Sequence, residues 1–188
     1  MKRKVVLALL LLTLEACLPV EDLGGYWSKA GRDPELAGSW RVVGGDSGNQ
    51  GLVRKFVNAG ESYEVSNVST QGQPVNVEPR PLAIRTIQLG RYKLLVCSVG
   101  VHPNGKREGV IVGYKLDGDS LEIYMMLGPS WLEFAQRRHP NAANLKKNVG
   151  EGEYLRVLTF DAQVAQMISE VPDTDEFWVP FERLVRVR

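Results

Sequence analysis

Val110-Ile111-Val112-Gly113-Tyr114-Lys115-Leu116-Asp117-Gly118-Asp119-Ser120-Leu121-Glu122-Ile123-Tyr124-Met125 is the stretch that decides the fold. Side chains of an extended chain alternate between two faces. Val110, Val112, Tyr114 and Leu116 therefore share one face, and Ile111, Gly113 and Lys115 the other. Asp117-Gly118 follows at once, and Leu121, Ile123 and Met125 resume the alternation. Two alternating runs around Asp-Gly make an antiparallel hairpin, because that pair tolerates the positive φ of a tight turn.

The same grammar extends in both directions. Pro81–Leu89 and Tyr92–Val101 are rich in β-branched and aromatic residues, with Gly90-Arg91 between them as a second tight turn. Leu36–Val43, Leu52–Val57 and Glu61–Val68 read as strands, separated by the glycine-rich stretch 44–49 and the turn Asn58-Ala59-Gly60. Thr70–Pro81, with Pro74, Pro79 and Pro81, is a loop. Tyr154–Phe160 and Phe177–Arg188 supply further strands, Pro180 confining the start of the last one to an edge or a bulge.

Two short helices fall in the C-terminal half. Ser130-Trp131-Leu132-Glu133 fits a capping box, with Trp131, Phe134 and Ala135 on one side and Pro140 as the stop. Asp161 caps a second helix reaching to about Glu170, with Val164, Ala165 and Ile168 packed. Asn141–Asn148 reads as another helical turn or two. The fold expected is mainly β, a β-rich α+β arrangement: an antiparallel barrel or half-barrel over a single domain, 36–188.

Before that domain stands Lys2-Arg3-Lys4, the apolar run Val5–Leu12, and Thr13-Leu14-Glu15-Ala16-Cys17. A basic start, a short apolar run and a small residue before a cut are the parts of a signal peptide, here 1–16. Val5–Leu14 is too short to cross a bilayer, which takes about 20 apolar residues. Leu14-Glu15-Ala16-Cys17 resembles the lipobox of bacterial lipoproteins, Glu15 standing where a small or β-branched residue is usual. The resemblance implies that Cys17 becomes an acylated N-terminus and holds the protein to a membrane; two or three acyl chains anchor durably where one does not. It implies a lipid-anchored place in the cell envelope. Leu18, not an aspartate, implies the outer membrane facing the periplasm in an organism with two membranes. An ordinary secreted protein with an incidental Cys17 is the alternative. Residues 17–35, punctuated by Pro19, Gly24, Gly25, Gly31 and Pro34, read as the acylated cysteine and a flexible tether. Within it, Tyr26-Trp27 either meets headgroups or docks on the domain.

Gly38-Ser39-Trp40 resembles the G-x-W element that opens lipocalin-type barrels. That resemblance implies that Trp40 plugs one end of the barrel and that Arg183 or Arg186 covers it through a cation–π contact. The helices near 130 and 162 are expected to break a simple eight-strand meander.

Composition narrows the chemistry. The 188 residues carry a net charge of +1; Lys2, Arg3, Lys4 and Glu15 account for +2, leaving −1 on the remainder. Such a body has no footprint for nucleic acid. The two histidines, His102 and His139, do not sit in a metal-ligand spacing. There is no G-x-S-x-G elbow and no phosphate-binding glycine loop. Asp117, Asp119 and Glu122 belong to the hairpin turn, and Asp173, Asp175 and Glu176 to an acidic loop. Arg137-Arg138 and Lys146-Lys147 form a solvated basic patch. With Cys17 acylated, the domain folds without a disulfide, Cys97 acting as a small buried hydrophobe. No cofactor or metal is expected. The leading expectation is a non-enzymatic lipoprotein that binds a small apolar ligand against Tyr114, Tyr124 and Met125. The alternative is a structural or protein-interaction module of the envelope without a ligand.

Overall fold

A computed structural model describes residues 18–45, 48–75, 83–143, 145–148 and 154–188. The segment expected as a signal peptide, 1–16, and Cys17 lie outside the described residues. In chain order the elements are β1 (Leu18–Val20), α1 (Gly24–Lys29), β2 (Gly38–Gly44), β3 (Val53–Ala59), β4 (Ser62–Val68), β5 (Ala83–Leu89), β6 (Tyr92–Val101), β7 (Arg107–Asp117) and β8 (Ser120–Met126). They continue with α2 (Gly128–Arg138), β9 (Leu145–Asn148), β10 (Tyr154–Val157), α3 (Ala162–Glu170) and β11 (Trp178–Arg186).

β2 to β8 follow one another as antiparallel neighbours, β11 lies between β8 and β2, and the β6–β7 pairing joins the run, so eight strands make a closed barrel. The meander order survives the helices: the whole excursion from 127 to 177 leaves after β8 and returns as β11. The Asp117-Gly118 hairpin is present, Asp117 facing Ser120 with Gly118 at φ 55. Gly90 takes φ 58 in the β5–β6 turn. β1, β10 and β9 form a wing that branches from β7.

Strand alternation divides the apolar residues into two cores. Trp40, Phe56, Tyr63, Val112, Tyr114, Leu121 and Leu184 fill the barrel. Leu94, Val96, Ile111 and Met126 point out of it, and α2, α3 and β1 cover them with Trp131, Phe134, Ile168, Leu18 and Val20. Leu94-Leu95-Val96-Cys97 is continuously apolar because this part of β6 is buried on both faces. β3 alternates instead: its Phe56 is inside, while Val57 is 54% exposed.

The first correction concerns residues 17–35, expected as a tether. From Leu18 onward they are built into the domain. Leu18, Val20 and Leu23 are buried, and the Glu21 and Leu23 amides donate to Val157 O and Arg107 O, each at 2.8 Å. Tyr26 stacks on Phe160 with centroids 4.7 Å apart. Two guanidinium groups lie over the Trp27 ring, Arg85 at 4.7 Å and Arg107 at 4.6 Å. Both aromatics thus dock on the domain.

Other local expectations shift for identifiable reasons. α2 begins at Gly128 without a side-chain cap, Pro129 in its first turn, so Ser130 is inside the helix rather than capping it. Proline suits that position because its missing N–H has no helical partner there anyway. Asp161 does cap α3, accepting from the Val164 amide at 3.0 Å. Leu145–Asn148, expected as helix, is a strand paired with β10. Pro180 stands at a register shift in the β11–β8 pairing.

Leu23→Ala tests the integration of the N-terminal segment. Emptying a buried leucine site costs about 2–5 kcal/mol, whereas a tether residue would cost nothing. Urea denaturation should show the larger loss.

Candidate functional site

One end of the barrel is closed by the segment Ala30–Ala37. Among the described residues β4 and β5 share the Tyr63↔Ile84 pair, and beyond it Gly31 pairs with β5, bonding Thr86 in both directions at 2.8 and 2.7 Å. Asp33 opens a 3-10 turn over Pro34–Leu36, its side chain accepting from the Glu35 amide at 3.2 Å. Leu36 is buried, and its carbonyl accepts from Trp40 Nε1 at 2.8 Å.

Arg186 covers that tryptophan, its guanidinium carbon 4.1 Å from the ring centroid. It donates to Ala37 O at 2.9 Å and Glu35 O at 2.5 Å, and its Nε is 3.5 Å from Asp119. Trp40 and Arg186 are register partners on β2 and β11, so both face inward. Arg183, the other candidate, is out of phase; its side chain is exposed and reaches Glu122 at 3.9 Å.

Asp33 ties this closure to the barrel interior. Its Oδ2 accepts from Lys93 Nζ at 3.0 Å and from the Tyr114 hydroxyl at 2.9 Å, and its carbonyl accepts from the Tyr63 hydroxyl at 2.5 Å. Burial alone would raise the Asp33 pKa, but the bonds from Lys93, Tyr114 and the Glu35 amide outweigh it and hold the carboxyl below its ordinary value. Burial first, and then the bond to Asp33, push the Tyr114 phenol far above its usual range. Sequence reasoning missed Asp33 because it stood in the supposed tether. Its signal was present in Asp33-Pro34, a cap followed by proline.

The barrel interior holds a second polar group. Arg54 and Glu182 form an ion pair whose side chains are 14% and 1% exposed. Arg54 Nε donates to Glu182 Oε2 at 2.7 Å, a further guanidinium nitrogen bonds Oε1, and NH1 donates to Asn67 Oδ1 at 2.7 Å. Asn49 adds a bond to Glu182 Oε1 at 3.0 Å. Glu182, just past the register shift at Pro180, pairs with the inward Ile123 and shares the phase of Leu184 and Arg186, so its carboxylate faces into the barrel. Gly45 allows the loop after β2 to press on this bulge, since a Cβ there would lie 2.1 Å from Phe181 O.

The expected ligand trio does not form one site. Tyr114 is inside the barrel with its hydroxyl on Asp33. Met125 is buried and shares the inward phase of Leu121 and Ile123. Tyr124 leaves the opposite face, where Lys115 Nζ sits 5.1 Å from its ring and its hydroxyl bonds Glu122. Burial first, and then Glu122, push its pKa up to about 12. Both tyrosines border a cleft of about 90 Å³ with Tyr92 and Trp178. A larger cleft of about 480 Å³ lies between the closing segment and the β3–β4 turn, lined by Arg32, Asn58, Glu61 and Tyr63 among others.

The remaining candidates have local partners. His102 is exposed and 3.6 Å from Glu108. His139 ends α2 and reaches Glu170 at 3.1 Å. Asp119 meets Arg186 and Arg188, and Asp173 meets Lys115. Cys97 is buried. Among the described residues no group of three or more His, Cys, Asp or Glu is placed to hold a metal, and no helix is long and apolar enough to cross a membrane.

Comparisons with protein-family models, curated proteins and solved structures return no counterpart of this chain.

The Asp33 contacts imply a pH dependence. A depressed carboxylate stabilises the fold above its unfolded value, near 4, and that contribution is lost as pH falls through the lower folded value. Asp33→Asn should reduce stability at neutral pH by about 1–2 kcal/mol and flatten the acid limb of stability below about pH 4, as read by urea denaturation across pH.

Proposed function

We propose that this chain is a lipoprotein of the cell envelope, anchored through Cys17, whose barrel binds a small ligand without turning it over. The ligand is largely apolar and carries one polar group. The observation that supports this reading is the Arg54–Glu182 pair inside the barrel. A buried ion pair is a poor stabiliser, because desolvating two charges offsets much of their attraction, and well-packed apolar residues often do as well or better. Its usefulness lies in what it can bind. Arg54, still partly exposed, and Asn67 offer polar contacts beside the half-buried apolar residues Leu52, Val110 and Phe181. A guest with an apolar body and a polar head suits that lining.

Filling of the closed half by Leu36, Trp40, Tyr63 and Tyr114 favours a second reading, an envelope interaction module without a ligand. In that case the barrel is a scaffold and its outer surface does the work.

Native protein extracted from its own membrane in mild detergent should release a stoichiometric small molecule, detected by mass spectrometry. Glu182→Leu alone strands Arg54 and should cost about 3–5 kcal/mol. The double variant Arg54→Met with Glu182→Leu should recover that stability and lose the bound molecule. Native protein without any small molecule, and a double variant indistinguishable from it, would replace this reading with the interaction module.

A further inference from the structure

β1 begins one residue after the cysteine that carries the proposed anchor. Leu18 is fully buried and pairs with Ile111, and Val20 pairs with Gly109 on one side and Val157 on the other. The Glu21 and Leu23 backbone bonds extend the attachment across both neighbours. One residue of chain spans at most about 3.6 Å, whereas a flexible linker of n residues has a typical reach of about 5–6 Å × √n. The chain is therefore held in the sheet before any slack can accumulate.

We propose that acylated Cys17 docks the domain directly on a phospholipid surface in one orientation, the start of β1 lying at headgroup level. This rests on the lipoprotein reading above and adds the surface and the geometry of contact. Topology then says which wall faces away. β3 stands four strands from β7 by either route around the barrel, so the β2–β3 wall is opposite the one that holds β1. That far wall presents Arg41, Val43, Lys55 and Val57, all exposed. It is the surface left open to the compartment.

The test uses the full chain, expressed with its own leader, acylated, and placed in vesicles of phosphatidylethanolamine and phosphatidylglycerol. A dye is attached at Val57→Cys; Cys97 is buried and the acylated Cys17 has no thiol. Time-resolved anisotropy should show the domain rotating only with the vesicle, and a quencher at headgroup depth should leave the dye bright. Inserting about ten Gly/Ser residues between Cys17 and Leu18 should restore nanosecond tumbling of the domain. Equal tumbling with and without the insert, on protein whose mass confirms acylation, would overturn direct docking and leave the anchor standing. An intact mass showing no acyl group would remove the anchor itself, and this inference with it.

Discussion

β7 lies between two apolar cores, and the architecture depends on its being buried from both sides. Val112 and Tyr114 reach into the barrel, while Ile111 reaches into the layer beneath α2, α3 and β1. Two glycines make the double packing possible. A Cβ on Gly113 would lie 2.8 Å from the ring of Trp178, and one on Gly109 would lie 2.3 Å from Cys97 O and 2.7 Å from Leu23. Neither position has room for a side chain. The strand is therefore paired with β6, β8 and β1 at once, and the barrel and its outer layer share one wall.

Much of this was legible because local chemistry and global packing agree. Alternation around Asp117-Gly118, the apolar continuity of β6 and the Asp161 cap each need only nearby residues to be read. Trp40 and Arg186 were found through a resemblance, and their shared phase on paired strands explains why Arg186 rather than Arg183 covers the ring. What escaped detection is non-local. Leu18, Pro19 and Val20 carry no periodic pattern of their own, and three residues become a strand only because β7 and β10 supply partners. Glu182 shares the inward phase of Leu184 and Arg186, and the bulge after Pro180 separates that phase from the outward Trp178. Its partner Arg54 lies more than a hundred residues away in the chain.

The two polar groups within the barrel differ in kind. Asp33 serves a structural closure: its acceptors are filled by Lys93, Tyr114 and the Glu35 amide, and its carbonyl by Tyr63. A satisfied network of this sort rigidifies and specifies a single arrangement. Arg54 of the Arg54–Glu182 pair stands across from Trp40 in the β2–β3 register, and the loop after β2 reaches the pair through Asn49. Tyr114 belongs to the closed end through Asp33.

Residues 18–40 link four tasks that are usually kept apart. The same short stretch supplies β1 to the outer sheet, pairs with β5 at Gly31, closes the barrel through Leu36 and ends at the plug, Trp40. An anchor at Cys17 would therefore act on a chain whose hydrogen bonds run without a long break into the barrel's closed end. Force at the membrane would first load the β1 backbone bonds to β7 and β10, then the contacts of Trp27 with Arg85 and Arg107. Both lie on the outer wall. Pro19 of β1 is also the register partner of Val110, whose side chain packs on the barrel core, so load on such an anchor would pass to a strand that the barrel interior shares.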